Sequence, residues 1–210
     1  MDALLRRREM MNQNRLPFDS YVEYITNNNG LGAYIDTGIN PKNNYRFILG
    51  VQGITTPSFI VGVRKGIGDT MFYMQANVVN NNSGAYFGLG NTSQFAVGGV
   101  NDSDWHSIGL LGNDKMVLID GVTKATWQTV STFTSQHSIH LFGINNNGTH
   151  TDASVVFKVR SLSLWDGGTK ILDLKPVRVG QVGAMYDTMS ETLFMNAGTG
   201  SFGVGNDINY

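Results

Sequence analysis

The sequence predicts an all-β domain, a sandwich of two antiparallel sheets, on three observations. Glycine supplies 26 of the 210 residues and is accompanied by many Asn, Ser and Thr, the composition of short strands joined by tight turns. Period-two alternation of apolar and polar residues recurs from Tyr45 to Lys175. A helix signal is confined to Met1–Arg15, which has no glycine, three consecutive arginines and good helix formers from Ala3 to Met11.

Composition bounds the function as well as the fold. Hydrophobic residues make up 41% and charged residues 15%, with a formal net charge of −1, so a core is available but no field draws nucleic acid or an anionic membrane. Cysteine is absent, which excludes disulfides and cysteine-ligated zinc. No run approaches the ~18 apolar residues of a membrane helix. The start M-D-A-L-L-R-R-R-E-M-M lacks the apolar stretch of a secretory signal, so the mature chain is expected to be the whole chain.

In chain order, residues 1–17 are expected to form a short helical or disordered arm and residues 18–210 a single domain. Leu4, Leu5, Arg8 and Met11 share one face at helical spacing. So short a helix is marginal in water and orders only against a partner or its own domain. These four residues are a candidate anchor in the light of the resemblance given below, and a frayed tail or an early start codon is the other reading. Two β-rich pieces between Tyr21 and Ile39 flank the turn residues Asn27-Asn28-Asn29-Gly30. Tyr45–Gln52, Ser58–Val63, Thr70–Ala76 and Gly84–Gly90 read as a meander, and Gln94–Val97 as an edge strand. Asp104–Leu111 and Lys115–Gly121 form the clearest hairpin, with Trp105, Ser107, Gly109 and Leu111 on one face; Asp120-Gly121 turns into Thr123–Trp127.

Ser138–Ile144 reads as one strand and Asn145–Asp152 as a long polar loop. Along Ala153–Trp165 the apolar face changes midway, from Val155, Phe157 and Val159 to Leu162 and Leu164, as a bulge in a curved sandwich sheet requires. Pro176 cannot donate to a ladder, so the strand from Thr169 is expected to end at Lys175. The glycine-rich closing stretch to Gly205 then returns to the opening strands.

Three groups of residues carry a family resemblance: E-Y-I with A-Y-I-D-T-G-I-N-P near the start, W-H-S-I-G-L-L with M-V-L-I-D-G in the middle, and D-L-K-P-V-R, G-A-M-Y-D and L-F-M-N-A-G-T-G at the end. Together they resemble the concanavalin A-like, laminin G-like jelly-roll domains over Phe18 to Gly205. Within that group they are most similar to the copies in structural proteins of tailed phages of gut bacteria, including the crAss-like ones, and in some bacterial surface proteins. The resemblance implies a jelly-roll sandwich in which the Trp-His strand and the following V-x-x-D-G strand belong to the sheets. It also implies a non-enzymatic virion protein, a capsid-decorating or head-fibre component. Such a protein is assembled in the host bacterial cytoplasm, exposed on the particle, oligomeric, and attached to capsid or other virion proteins. The alternative is a glycan-binding module for host surface polysaccharide.

Several sites can be weighed. Retaining glycoside hydrolysis needs two carboxyls about 5 Å apart, yet glutamate occurs only at Glu9, Glu23 and Glu191, so no catalytic residue and no cofactor is expected. His137 and His140 are three apart on a strand and point to opposite faces, which denies them a shared metal. Calcium is harder to dismiss, because the resemblance implies it, many laminin G-like and lectin domains holding one, and Asn145–Asp152 offers hard ligands. The stretch lacks an ordered D-x-D-x-D-G pattern, and an ordinary polar loop is the other reading. Gly198–Gly203 matches G-x-G-x-x-G, but the seven residues after Gly203 hold no helix to receive a pyrophosphate. For sugar, loop amides and an aromatic platform are the requirement. The candidates are Asn82 with Tyr86, and Asn145, Asn147, His150 and Asp152; ordinary turn chemistry accounts for the same residues.

Overall fold

The structure is a computed structural model, which describes residues 16–28, 31–55, 57–66, 70–79, 82–98, 100 and 102–209. The candidate anchor residues Leu4, Leu5, Arg8 and Met11 lie outside the described residues. Among the described residues there is no helix, and twenty strands follow in order. They are β1 (Ser20–Val22), β2 (Ile25–Thr26), β3 (Ile35–Asp36), β4 (Tyr45–Gln52), β5 (Ser58–Arg64), β6 (Met71–Val79), β7 (Asn82–Gly90), β8 (Thr92–Val97), β9 (Trp105–Leu111) and β10 (Met116–Ile119). The second half of the chain adds β11 (Val122–Thr126), β12 (His140–Leu141), β13 (Gly143–Asn146), β14 (Thr149–Asp152), β15 (Lys158–Asp166), β16 (Thr169–Val179), β17 (Val182–Asp187), β18 (Thr192–Phe194), β19 (Gly203–Val204) and β20 (Asp207–Ile208).

The larger sheet runs β11-β10-β9-β4-β15-β16-β1-β20, with β17 and β18 continuing from β16 and β2 and β19 beside β15. The smaller runs β14-β13-β5-β6-β7-β8, with β12 and β3 beside β5. Pairing is antiparallel except between β13 and β5. The expected jelly-roll sandwich of two antiparallel sheets is therefore the architecture. Its core interleaves both inner faces, with Phe47 of β4 meeting Phe72 of β6 edge-to-face at 5.6 Å. Phe142 stacks on Phe157 at 4.8 Å and packs on Phe202 at 4.8 Å, so the closing stretch is tied to the middle of the chain. Each fully buried Phe contributes roughly 1.5–3 kcal/mol.

Of the four-strand meander read over Tyr45–Gly90, β5, β6 and β7 pair in that order and β8 takes the edge, but Tyr45–Gln52 is not their partner. After Gly53 (φ 83°) the chain crosses between the sheets, and β4 pairs with β9 and β15 in the larger one. The β9–β10 hairpin agrees with the sequence reading, with Leu111 opposite Met116 and Ile108 opposite Ile119. The bulge in β15 falls between Val159 and Ser161. Val155, Phe157 and Val159 are buried before it and Leu162 and Leu164 after it, which is the change of face read from the alternation. The closing stretch returns to the opening one: β19 pairs with β2 and β20 with β1.

Five further expectations are corrected. The opening pieces do not form a local pair, because β1 and β2 join the larger sheet while β3 pairs with β12 in the smaller. Asn27, read as a turn residue, is fully buried at that crossing, where its amide donates to Val155 O at 2.9 Å and accepts from Phe157 N at 3.0 Å.

The strand read over Ser138–Ile144 is two. Leu141 lies opposite Val61 in an antiparallel pair, and Asn145 lies beside Val63 in a parallel one. The chain doubles back between them at Phe142 (φ 69°) and Gly143 (φ 150°). Asn145–Asp152, read as a loop, is the tight hairpin β13–β14, turning on Asn147 (φ 53°) and Gly148 (φ 87°). Asn-Gly between extended residues is the preferred two-residue hairpin turn, and that signal was present in the sequence.

Finally, β16 runs through Pro176 to Val179. Gly183, opposite Arg178, sends its N–H to Phe202 O at 2.9 Å and away from β16. Pro176, two residues from Arg178, therefore turns its nitrogen to the other flank. There the pairing with β15 stops at Leu174 and that with β1 starts at Val177, so no donor is required.

Candidate functional site

The reversal at Phe142 brings His140 beside Asn145, and the β13–β14 hairpin carries His150 over both. Gly148 N donates to Asn145 Oδ1 at 2.9 Å, which fixes that amide so that its nitrogen donates to His140 Nε2 at 3.2 Å. His140 then carries its proton on Nδ1 and donates to His150 Nδ1 at 3.0 Å. His150 is left with its proton on Nε2, 3.2 Å from Asp152 Oδ1 but off the line needed for a hydrogen bond. Tyr34 stacks on the His150 ring at 3.8 Å, with an interplanar angle of 14°. A Cβ at Gly143 would stand 2.5 Å from His150 Cε1, so the ring needs glycine beneath it.

Burial, and then the charge His140 would carry, pull the His150 pKa down to about 4, against a smaller opposing effect of Asp152. Burial also lowers His140, with Asp36 opposing. Both rings are neutral near pH 7 and are spent on one another. Asn145 is buried with its side chain committed, and Asn147 is the exposed turn residue. Asp152 is exposed at the rim. These donors fit a calcium ion poorly, because the amide oxygen of Asn145 already accepts from Gly148 N and its nitrogen is held by His140.

Tyr86 lies on β7 and packs on Phe95 at 5.0 Å. Two strands separate β7 from β13, which puts Tyr86 about 14 Å from Asn145 at the usual strand spacing. The two halves of the sequence-predicted sugar site are therefore not brought together. Asn82 opens β7; its side chain lies outside the described residues.

A different site is assembled on the outer face of the larger sheet. Trp105 of β9 lies opposite Gln52 of β4, and Gln52 opposite Lys158 of β15, so three side chains form a row across the sheet. Around them a cleft of about 670 Å³ is lined by Glu23, Tyr24, Gln52, Trp105, Lys158, Arg160, Ser161, Lys175 and Ile208. A second hollow of about 480 Å³ shares Tyr24, Gln52 and Lys158 with it, which extends the cleft into a groove. Both volumes are in the range of ligand sites.

Two local devices build the cleft. The bulge in β15 frees Arg160 from the ladder, and β4 offers Gly50 beside it. A Cβ on Gly50 would stand 2.7 Å from Arg160 Cγ. With glycine there, the guanidinium crosses to the Trp105 ring, 4.8 Å from its centroid. Lys158 lies 4.5 Å over the Tyr24 ring, and the two rings are 6.2 Å apart. Gln52 Nε2 donates to Ser103 O at 2.7 Å, fixing the loop before Trp105.

The same loop is clamped from the inside. His106 Nδ1 lies 2.8 Å from Asp120 Oδ2 and Nε2 lies 2.8 Å from Asp102 Oδ1, while Asp120 Oδ1 accepts from Ser107 N. Burial alone would lower the His106 pKa, but the hydrogen bonds and charges of Asp120 and Asp102 outweigh it and hold it above the usual value.

No protein-family model matches the sequence, and no curated protein matches it. Among solved structures, the chain is similar to a candidate carbohydrate binding protein from Bacteroides ovatus, with a TM-score of 0.54 and 9% identity over 90% of this chain. The likeness is one of fold. This chain spans 62% of the length of that one.

Sequence reasoning missed the cleft because its parts are far apart in the chain. The alternation separates Trp105 from His106, Ile108 and Leu110, and it signals a bulge midway along Ala153–Trp165 without locating it at Arg160. Nothing in the order of residues puts Tyr24, Gln52 and Lys175 around them.

Proposed function

We propose that this protein is a non-enzymatic glycan-binding module whose ligand lies in the cleft between Trp105, Tyr24 and Lys175. The observation that carries the reading is the cleft itself. It combines two half-buried aromatic rings with the amide of Gln52, the hydroxyl of Ser161 and charged donors. A few fixed polar groups around apolar surface orient a polar ligand and give it specificity. The fold likeness to a candidate carbohydrate binding protein supports the class. Glu23 is the one carboxylate among the lining residues, so the cleft lacks the carboxyl pair of a glycosidase.

As a setting we propose the outside of a phage particle, with Met1–Arg15 as the attachment. This rests on the sequence resemblance to phage structural domains.

The test is a glycan array probed with the native protein and with Trp105→Ala and Gln52→Ala. The reading expects retention of a defined set of glycans by the native protein and its loss in both variants, with thermal unfolding unchanged within a few degrees. Binding that survives both substitutions would remove the cleft from the account.

A further inference from the structure

We infer that the cleft is built for acidic saccharides, chains carrying carboxylate or sulfate groups; this rests on the glycan-binding reading above. Its cations are Lys158, Arg160 and Lys175, set against the single carboxylate of Glu23, in a chain whose net charge is −1. The cleft therefore carries a local excess of positive charge that the chain as a whole does not have.

The placement of these cations matters more than their number. Among the described residues, neither Lys158 nor Arg160 is in an ion pair. Each is instead laid on an aromatic face, Lys158 on Tyr24 and Arg160 on Trp105. A ring holds a cation through its quadrupole without using the N–H donors. The Arg160 fork is therefore oriented, charged and still open to accept an anion in bidentate fashion.

The same contacts argue against neutral sugars. A neutral ring binds by lying flat on an exposed aromatic face, and here both faces are covered by the cations. The rings act as pedestals and the cations as the contact surface. The bulge that frees Arg160 and the glycine at position 50 that lets it cross are spent on that arrangement. Lys175 stands on the far side of the cleft, 3.8 Å from Asp173 Oδ1, so its charge is partly balanced and the strongest sites are Arg160 and Lys158. The second hollow continues past Lys158, which suits a chain longer than one sugar.

The experiment is titration calorimetry of the full chain with three oligosaccharide probes of matched length. These are oligogalacturonate (carboxylate), a heparin-derived fragment (sulfate) and xylo-oligosaccharide (neutral), each at low and at physiological salt. The inference expects at least one acidic probe to bind ten-fold or more tighter than the neutral one, and to weaken as salt rises. Arg160→Gln and Lys158→Gln should each lower that affinity about ten-fold, and the control Lys124→Gln on β11 should leave it unchanged. Preference between the two acidic probes identifies the anion. Equal binding of acidic and neutral probes, unaffected by Arg160→Gln yet lost in Trp105→Ala, would overturn the inference and leave the glycan-binding reading standing. Absence of binding by all three probes overturns the inference, and an empty glycan array alongside it would take the parent reading down as well.

Discussion

Replacing His150 with Phe should flatten the acid limb of the protein's stability curve. The ring lies under Tyr34 at 3.8 Å and its pKa is pulled down to about 4 by burial and by the neighbouring His140. In the unfolded chain the same group titrates near 6.5. The folded value is the lower one, so the stability from keeping the ring neutral is fully present above about pH 6.5. It is lost as pH falls through 4, where the folded ring also takes a proton. Over that interval linkage sets an upper bound of about 3 kcal/mol, and about 2 kcal/mol is the working figure once acid-induced relaxation around the ring is allowed for.

Other groups titrate inside the range and are common to both proteins, so the difference between the two curves isolates position 150. The depressed carboxylates of Asp102, Asp120 and Asp173 begin to lose their stabilisation from about pH 5 downward. His106, held above its usual value, adds stability as pH falls towards about 6.5. Phe at position 150 keeps the stack and removes the titrating group, but leaves His140 Nδ1 without an acceptor. A uniform cost of about 1–2 kcal/mol is therefore expected at pH 7. The assay is urea unfolding at half-unit steps from pH 7.5 to 4. Native protein should lose about 2 kcal/mol over that range and His150→Phe less than half as much, the remainder reporting His140 and the groups common to both. Parallel curves for the two proteins would refute the buried, neutral pair.

Two further outcomes follow from single side chains. Asn27→Ala should cost about 2–4 kcal/mol in urea unfolding, because it strands the buried groups Val155 O and Phe157 N; a loss below 1 kcal/mol would show that the crossing is held by other contacts. The His106 clamp should be seen directly by imidazole NMR titration. A pKa above 6.5 is expected, falling on Asp120→Asn, and the stabilisation it reports should be full below pH 6.5 and fade as pH rises through the raised value. A His106 titrating below 6.5 contradicts the double hydrogen bond.

The fold was legible where it depends on local pattern. The alternation in Tyr45–Gln52 and the hairpin around Gly112 follow from period and turn chemistry, and the face change between Val159 and Leu162 gave away the bulge. What could not be read depends on partners distant in the chain. The reversal at Phe142 places a bulky residue in a left-handed conformation, which nothing local favours; burial against Phe157 and Phe202 holds it there. Pro176 reads as a strand end because the exchange of β15 for β1 along its flank is invisible in sequence.

The sites divide in the same way. His150, Asn145 and Asp152 were singled out for their chemistry, and the structure brings them together, but into a packed cluster whose donors are spent on each other. The cleft came from residues read only as strand positions. Its deciding contact, Arg160 over Trp105, needs a bulge in one strand and a glycine in the next, two signals that acquire meaning only when β4 is known to lie between β9 and β15.

The most direct test is a crystal structure of the protein soaked with the oligosaccharide it binds best. The account predicts sugar density in the cleft, with an acidic group within hydrogen-bond reach of Arg160 and a hydroxyl on Gln52. Density at the Asn147–Gly148 hairpin or against Tyr86 and Phe95, with the cleft empty, would contradict it.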